Sequence, residues 1–155
     1  MDGRLWGVLH CMTIYGEYAP STAQWVRDQV DTIEATGTTR SVHIMDRPVV
    51  LLTMIGATSG KVRKVPVMRV EHDGVYLAVA SKGGAPEHPQ WFHNLLAHPD
   101  VEIQDDRASS PVRARLVSGE ERGPWWERAV AAYPPYAEYQ TKTEREIPLF
   151  VIEPR

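Results

Sequence analysis

Residues 49–96, VVLLTMIGATSGKVRKVPVMRVEHDGVYLAVASKGGAPEHPQWFHNLL, contain the pattern that decides the fold. Val49–Ile55 is almost continuously apolar and is bounded by turn residues, which predicts a strand that is covered on both faces. Val62–Glu71 and Val75–Ala80 predict two further strands. They flank Asp73-Gly74, and an Asp-Gly pair between two apolar runs is a strong signal for a β-hairpin.

A short helix is predicted after the hairpin. Pro89 suits its first turn, and Pro99 ends it because the residue before a proline is pushed out of the helical region. Between them, Trp91 and Leu95 form one of two i, i+4 apolar pairs that could dock the helix on the sheet.

An amphipathic helix is predicted before residue 49. Ser21 and Gln24 have the spacing of a capping box, and Gly37 is placed to end the helix. Trp25 either extends the apolar stripe into the core, which we favour, or faces a membrane or a substrate. The stripe itself consists of Val26, Val30 and Ile33.

The rest of the chain adds strands and a third helix. A second capping box begins at Ser118, and Pro134-Pro135 stop the helix that follows it. Most connections between strands are too short for helical crossovers, so the predicted fold class is mainly β with flanking helices (α+β). A small closed barrel with helices outside is the economical arrangement. The further strands are predicted at Ser41–Met45, Val101–Gln104, Val112–Val117 and Ile147–Ile152, which gives six or seven strands and three helices.

Composition limits the class of protein. The chain has 155 residues, of which 43% are hydrophobic and 24% charged, and this suits one soluble globular domain. A formal net charge of -3 argues against binding of nucleic acid through the overall charge, so any anion site has to be a local patch of positive charge. The single cysteine, Cys11, rules out an internal disulfide and favours a cytoplasmic location.

Residues 1–20 are interpreted as an N-terminal extension and residues 21–155 as the single domain. The extension is apolar in places, but it is too short for a membrane span and has no convincing signal-peptide cleavage site. It either makes a peripheral contact with the cell membrane or packs over the barrel mouth. Translation from Met1 and translation from Met12 are both left open.

Cations gather at the first glycine turn, residues 56–60, and on the strand after it. Glycine amides and cationic side chains together make a concavity that binds anions, and arginine can hold a phosphate or carboxylate with two hydrogen bonds. A solvated strand end is the alternative. Neither a Walker A motif nor G-x-G-x-x-G is present. The cations are Lys61, Arg63, Lys64 and Arg69.

The second glycine turn, residues 80–85, ends a strand and leads toward the short helix. Gly83 and Gly84 permit close approach of the backbone to a ligand, and Ser81 offers a hydroxyl near the mouth. A purely structural loop is the competing interpretation. Two glycine turns with cations favour a ligand site more than either turn does alone.

The histidines do not predict a metal site. His88, His93 and His98 are five residues apart, so each step turns by about 140° on a helix and the rings do not share a face. Cys11 has only His10 as a basic neighbour, which argues against a reactive thiol.

Three tyrosines, Tyr133, Tyr136 and Tyr139, are spaced three residues apart near the C-terminus. If the segment is helical they line roughly one side of it, and each has a hydroxyl beside an aromatic face. A plain core would prefer phenylalanine or leucine, which have no polar tip. An aromatic, partly wet pocket for a planar substrate is therefore at least as well supported as a core.

Together these residues resemble the deazaflavin (coenzyme F420)-dependent nitroreductases and F420H2-dependent quinone reductases, which have the split β-barrel fold of flavin-binding reductases. The resemblance covers nearly the whole chain after Met12. Its distinctive blocks are ASKGGAPEHPQWFHNLLAHP (80–99) and YPPYAEYQTKTEREIPLFVIEP (133–154). PVVLLT (48–53) and the segment G-x-x-x-G with R-x-x-P (56–66) match as well.

The family pattern implies a role for each site residue. Tyr133, Tyr136 and Tyr139 would shape the substrate site, with Tyr136 as the main catalytic or orienting group and Ser81 acting through water. The residues implied to bind F420 are Lys61, Arg63, Lys64 and Pro66 beside the anionic tail, Ala80, Ser81, Lys82, Gly83, Gly84 and Ala85 around the deazaflavin, and Trp91 and Asn94 on the adjoining helix.

The implied reaction is hydride transfer from reduced F420 to a quinone or nitroaromatic acceptor. An FMN-dependent oxidoreductase on the same barrel and a non-catalytic F420 carrier stay open as alternatives. Relatives on this barrel are often dimers, so a homodimer is open too. One departure concerns the cofactor tail: relatives often have an Arg-Lys pair after the first glycine, where this chain has Ala57-Thr58.

Overall fold

Residues 14–155 are described by the computed structural model, and their strands form one antiparallel sheet. The strands are β1 (Val49–Ile55), β2 (Val62–Met68), β3 (Glu71–His72), β4 (Val75–Val79), β5 (Asp100–Asp105), β6 (Ala108–Leu116) and β7 (Leu149–Pro154). They lie side by side in the order β2-β1-β5-β6-β7-β4-β3. Every neighbouring pair is antiparallel.

Four helices cover the two faces of this sheet in the part of the chain that the structure describes. α1 (Gln24–Thr36) packs on one face over β1. α3 (Arg122–Ala132) and α4 (Pro135–Thr141) cover the same face at β4 and β7, whereas α2 (Gln90–Ala97) packs on the opposite face.

β1 is buried on both faces, as its apolar sequence predicts. Val50, Leu52 and Met54 belong to the core that α2 covers, and Val49 and Leu51 pack against α1. None of these five side chains is more than 3% exposed. Alternation of side chains along the strand thus ties the two layers of helices to one central strand.

The sheet forms a half-barrel, and the predicted mainly β class with flanking helices is confirmed. Its edges are β2 and β3, and within residues 14–155 no ladder of hydrogen bonds joins them. The expectation of a closed barrel is wrong in this respect. β3 follows β2 after two residues, so the two end strands are consecutive parts of one segment that passes from β1 to β4, and they do not pair with each other.

The chain before α1 pairs with the exposed edge of β2. The Val62 amide donates to the Glu17 carbonyl at 2.9 Å, and the Ala19 amide donates to the Val62 carbonyl at 2.9 Å. Residues 1–13 lie outside the described part, so the boundary between extension and domain at residues 20 and 21 stays a prediction. Among the described residues, no helix has the length and apolarity to cross a membrane. The membrane contact and cytoplasmic location also stay predictions.

Both predicted capping boxes are wrong. α1 begins at Gln24, and Ser21 instead accepts a hydrogen bond from the Ala23 amide at 3.1 Å. Ser118 precedes a 3₁₀ turn (Gly119–Glu121), but its side chain makes no capping hydrogen bond, and Glu121 instead binds Arg115 through both carboxylate oxygens at 2.6 and 2.9 Å. A tertiary ion pair takes the carboxylate that the local motif requires.

The predicted strand Ser41–Met45 is also wrong. A 3₁₀ turn (Thr39–Ser41) begins this segment, and a tight turn follows in which Met45 and Asp46 have φ angles of 49° and 62°. Ile44 and Arg47 close the turn with two backbone hydrogen bonds of 3.0 and 2.9 Å. Left-handed backbone at two successive residues prevents a strand here.

Other local predictions are confirmed. β1 has the predicted bounds, and Asp73-Gly74 form the hairpin turn with φ angles of 52° and 81°. Gly37 ends α1 in the left-handed conformation, and its amide donates to the Ile33 carbonyl. Pro134-Pro135 stop α3, but Pro135 also begins α4, which raises the helix count from three to four.

Candidate functional site

A cleft of about 560 Å³ opens along the edge of β2. Its walls come from β2, the loop after β4, the start of α2 and the tyrosines of α3 and α4. The start of α1 and the turn at Met45 form the mouth. Because β2 is an edge strand, residues from both of its faces reach this cleft.

Most of the predicted site residues meet in the cleft. The loop after β4 and the tyrosines lie on its walls together, although more than 50 residues separate them in sequence. The predicted residues that line it are Arg63, Lys64, Pro66, Ser81, Lys82, Gly83, Trp91, Asn94, Tyr133, Tyr136 and Tyr139.

Four residues predicted to bind the cofactor do not line the cleft. Lys61 pairs with Glu17 at 3.0 Å. Ala80 is fully buried, and Ala85 turns its carbonyl toward Arg145. Gly84 packs behind the wall against the Tyr139 backbone. These residues support the wall instead of forming it.

The cations of the first glycine turn are not equally available. Lys64 pairs with Glu34 at 3.1 Å, and Arg69 binds Asp105 at 2.9 and 3.1 Å in a separate cluster with Tyr76. Within residues 14–155, Arg63 has no hydrogen-bond or ion-pair partner. Arg63 is therefore the cation that is ready to meet an anionic ligand in the cleft.

The loop after β4 is built from left-handed backbone. Lys82, Gly83 and Gly84 have φ angles of 47°, 65° and 85°. A 3₁₀ turn fixes it, because the Gly84 amide donates to the Ser81 carbonyl at 2.9 Å and the Ala85 amide to the Lys82 carbonyl at 3.1 Å. At Gly83, the position of a Cβ has no atom within 4 Å, so a ligand can approach the backbone there.

Sequence reasoning missed Arg145, which lies beneath this loop. Its guanidinium donates to the carbonyls of Ala80, Ser81 and Ala85 at 3.1, 2.8 and 2.9 Å. It also contacts Nδ1 of His88 at 3.0 Å. No local sequence pattern indicates this role, because about 60 residues separate Arg145 from the loop.

The three tyrosines form a cluster in which one hydroxyl is left free. The hydroxyls of Tyr133 and Tyr139 bind each other at 3.1 Å, and the rings of Tyr133 and Tyr136 meet edge to face at 5.1 Å. Within the described chain the Tyr136 hydroxyl has no hydrogen-bond partner, although its side chain is only 5% exposed. Burial, followed by the neighbouring tyrosines, raises the pKa of Tyr136 above its usual value.

The tyrosine cluster thus presents one neutral phenol to the cleft. Hydrogen bonding to Tyr133, followed by burial, also raises the pKa of Tyr139 to about 12. Both hydroxyls stay protonated throughout the physiological range, so Tyr136 can donate a hydrogen bond there.

At the mouth of the cleft, sequence reasoning missed Met45 and assigned Trp25 to the core. Trp25 is 54% exposed and lines the cleft, so its favoured assignment to the core is wrong. Met45 lies nearby on the mouth and is 66% exposed. The helical stripe pointed to Val26 instead, which is buried, and neighbouring positions on a helix face in different directions.

The histidines act as structural groups. His88 stacks on Phe92 with ring centroids 4.0 Å apart, and His93 lies 6.3 Å from His88. Among residues 14–155, no group of three or more histidine, cysteine or acidic side chains could hold a metal ion.

The cleft suits a flat, largely apolar ligand that has an anionic end. Valine, proline, methionine and aromatic side chains supply the apolar walls. Arg63 supplies an uncompensated positive charge, Gly83 supplies open backbone, and Tyr136 supplies a hydrogen-bond donor. A redox cofactor with an anionic tail and an acceptor stacked on it fits this set of groups.

Comparison with known proteins places this cleft in context. A family model described as F420H(2)-dependent quinone reductase matches residues 25–154. A candidate F420H(2)-dependent quinone reductase of Mycobacterium tuberculosis is 38% identical over 108 residues, which are 70% of this chain and 91% of the relative.

Two solved structures are also similar. One, described as an F420-H2 dependent reductase (FDR-A), is 58% identical with a TM-score of 0.66, and the match covers 72% of this chain and 99% of the other. A second, described as a domain-swapped dimer, is 56% identical with a TM-score of 0.68, and the match covers 86% of this chain and 100% of the other.

The loop geometry predicts different costs for two adjacent glycines. A Cβ at Gly84 would lie 2.8 Å from the Tyr139 carbonyl oxygen and 3.2 Å from its Cα, so backbone must shift. We expect Gly84→Ala to lower the free energy of unfolding by about 3 kcal/mol or more. Gly83→Ala meets open space and should cost only the left-handed strain, about 1–2 kcal/mol. Urea unfolding measures both, and equal losses would contradict the packing of the loop on α4.

Proposed function

Because the chain belongs to the F420H(2)-dependent quinone reductase family, we propose that it reduces a quinone with hydride from reduced coenzyme F420. The observation that carries this proposal is that the Tyr136 hydroxyl, which has no hydrogen-bond partner within residues 14–155, lies in the same cleft as the loop at Ser81 and as Arg63, which has no partner in that part of the chain either. Nitroaromatic compounds are a second class of acceptor on the same chemistry.

The chain's own residues divide the work of holding the cofactor. Arg63 would hold the anionic tail, and Lys64 and Lys82 would join it by exchanging their carboxylate partners Glu34 and Glu87. Such exchange is cheap, because exposed ion pairs contribute only about 0–1 kcal/mol. The loop backbone at Ser81 and Gly83 would hold the ring system, with Pro66, Trp91 and Asn94 completing the wall.

Tyr136 acts on the acceptor. When bound, reduced F420 supplies the hydride. The Tyr136 hydroxyl donates a hydrogen bond to the acceptor oxygen on which negative charge develops, and this interaction is stronger in the transition state than in the ground state. The mutual bond between Tyr133 and Tyr139 occupies their hydroxyls and holds the aromatic wall beside Tyr136.

The apolar mouth favours an apolar acceptor and limits water. Trp25 and Met45 stand at the entrance, and Met54 and Val65 line the interior. A low-dielectric site strengthens the hydrogen bond from Tyr136.

We further propose a homodimer, on the support of the 56% identical structure that is described as a dimer. Light scattering of the purified protein should give twice the mass of the chain.

Titration of the purified protein with F420 and, separately, with FMN tests the cofactor. We expect F420 to bind more tightly, since the cleft carries several cations for a long anionic tail. Oxidation of reduced F420 should then accelerate when menadione is added. Binding of FMN alone would overturn the proposal, and binding of F420 without turnover would favour a carrier.

Tyr136→Phe tests the hydrogen bond to the acceptor. We expect kcat/KM for menadione to fall about 10²-fold, the effect of removing one donor from an oxyanion, while F420 affinity changes less than about twofold. Tyr76→Phe is the matched control. The Tyr76 hydroxyl donates to Asp105 at a distance of 2.6 Å, and this pair lies outside the cleft. Unchanged turnover of the Tyr136 variant would remove this residue from the mechanism.

Arg63→Ala tests the electrostatic contact with the tail. We expect the Kd for F420 to rise about tenfold at 0.01 M salt, which is about 1.4 kcal/mol, and less at 0.15 M salt because screening shortens the field. Arg113→Ala removes an equal charge from a surface pair with Asp100 outside the cleft and should leave the Kd unchanged. An effect that is the same at both salt concentrations would point to altered folding instead.

A further inference from the structure

We propose that Arg145 is a positioning residue for this site: its guanidinium sets the conformation of residues 80–85, and its hold on them requires neutral His88. The inference rests on the proposed function for its effect on F420. Its effect on the loop itself is independent of any ligand.

The contacts of Arg145 match the donor geometry of a guanidinium. Nε donates to the Ala85 carbonyl, Nη1 to the Ala80 carbonyl and Nη2 to the Ser81 carbonyl, at 2.9, 3.1 and 2.8 Å. Nη1 also reaches His88 Nδ1 at 3.0 Å. The planar guanidinium thus binds carbonyls at both ends of the loop, a geometry that a lysine ammonium cannot reproduce.

The loop needs these donors because of its backbone. Three successive left-handed residues, from Lys82 to Gly84, reverse the chain and leave carbonyls of its flanks turned inward. Ala80 is fully buried and Ser81 is 8% exposed, so water cannot readily replace Arg145 at their carbonyls. Without Arg145 the Ser81 carbonyl would keep the Gly84 amide as a donor, but the buried Ala80 carbonyl would lose the guanidinium, which is costly, and the loop would relax to another conformation.

Arg145 also brings charge behind the cleft wall. Among the described residues no carboxylate lies within ion-pair distance of it, and its nearest anionic influence is Glu87, which pairs with Lys82. Burial lowers the pKa of Arg145, but arginine stays protonated in proteins. The positive charge of Arg145 therefore acts on the ligand through the backbone dipoles of the loop.

His88 has to be neutral for this arrangement. A guanidinium only donates, so His88 Nδ1 must accept and its proton must lie on Nε2. The charged or titratable groups around His88 are Arg145, His93 on α2 and the Lys82–Glu87 pair of the loop. Burial, then Arg145, then His93 lower the pKa of His88. Because the pKa is lowered, the contact is complete above about pH 6.5 and is lost only as the pH falls through the lowered pKa of His88.

Hydrogen exchange of the ligand-free protein tests the positioning role directly. The Gly84 and Ala85 amides are bonded only within the turn, so their protection reports the loop conformation. We expect Arg145→Met and Arg145→Lys to lose at least about tenfold of this protection at pH 7.5. Arg155→Met is the control, since the Arg155 guanidinium also donates to backbone carbonyls, at Val112 (2.8 Å) and Val101 (3.4 Å), which lie on β6 and β5 and not on the loop. Equal protection in the wild type and both Arg145 variants would overturn the proposal.

F420 binding and turnover supply the second readout. Arg145→Lys should raise the Kd for F420 and the KM for reduced F420 about tenfold, while kcat at saturation falls less than about threefold, because bound cofactor restores the loop. Arg155→Met should leave the Kd unchanged. Equal losses in kcat and in KM, or the same change in the Arg155 variant, would show a merely structural role. Failure of the wild type to bind F420 would refute the proposed function, and hydrogen exchange would still decide the role of Arg145.

His88→Asn tests the requirement for neutral histidine. The asparagine Oδ1 can take the place of Nδ1 as the acceptor, and it does not titrate. Between pH 7.5 and 5.5 the wild type should lose loop protection and F420 affinity relative to His88→Asn, by up to about tenfold per pH unit below the His88 pKa. Dividing the F420 affinity of the wild type by that of His88→Asn at each pH cancels any effect of titration of the ligand. An identical pH profile for both would overturn the part played by His88.

Discussion

The bond between one guanidinium and three backbone carbonyls is the constraint on which the cleft depends. Residues 82–84 adopt a backbone that few sequences tolerate, and the donors of Arg145 compensate the carbonyls that this backbone turns inward. Gly84 can then pack on the Tyr139 backbone, which brings α4 against the loop. The aromatic wall and the turn are therefore coupled, because Arg145 binds the turn and Gly84 of the same turn packs on α4.

The open sheet gives the cleft its second wall. In a closed barrel, one face of β2 would point inward and the other outward, and the two could not share a ligand. Here β2 lies at an edge, so Arg63 and Lys64, which alternate along the strand, both reach the same cleft. The half-barrel and the shared position of Arg63 and Lys64 both follow from the place of β2 at the edge, where residues 17–19 pair with it at Val62.

Sequence reasoning succeeded where the physics is local. The apolar run of β1, the turn at Asp73-Gly74 and the end of α1 at Gly37 each depend on a few neighbouring residues, and the structure confirms them. The capping boxes failed because other side chains bind the residues they require: Glu121 pairs with Arg115, six residues earlier, and Gln24 bonds with Arg27 and Asp28. Likewise, the free hydroxyl of Tyr136 depends on Tyr133 and Tyr139 binding each other, and no spacing rule contains that information. The family resemblance predicted most residues of the cleft. Only the folded structure distinguishes the residues that line its walls from the residues that lie behind them.

The lysine–glutamate pairs at the rim have a consequence for ligand exchange. Glu34 and Glu87 already sit on Lys64 and Lys82 at 3.1 and 3.0 Å. They act as internal counterions: an arriving anion displaces tethered carboxylates of the protein itself and not mobile ions from solution. Because tethered groups return no ions to the bulk, the dependence of affinity on salt should be shallower than the number of cations implies. The rim thereby remains nearly neutral when empty and attracts few other polyanions.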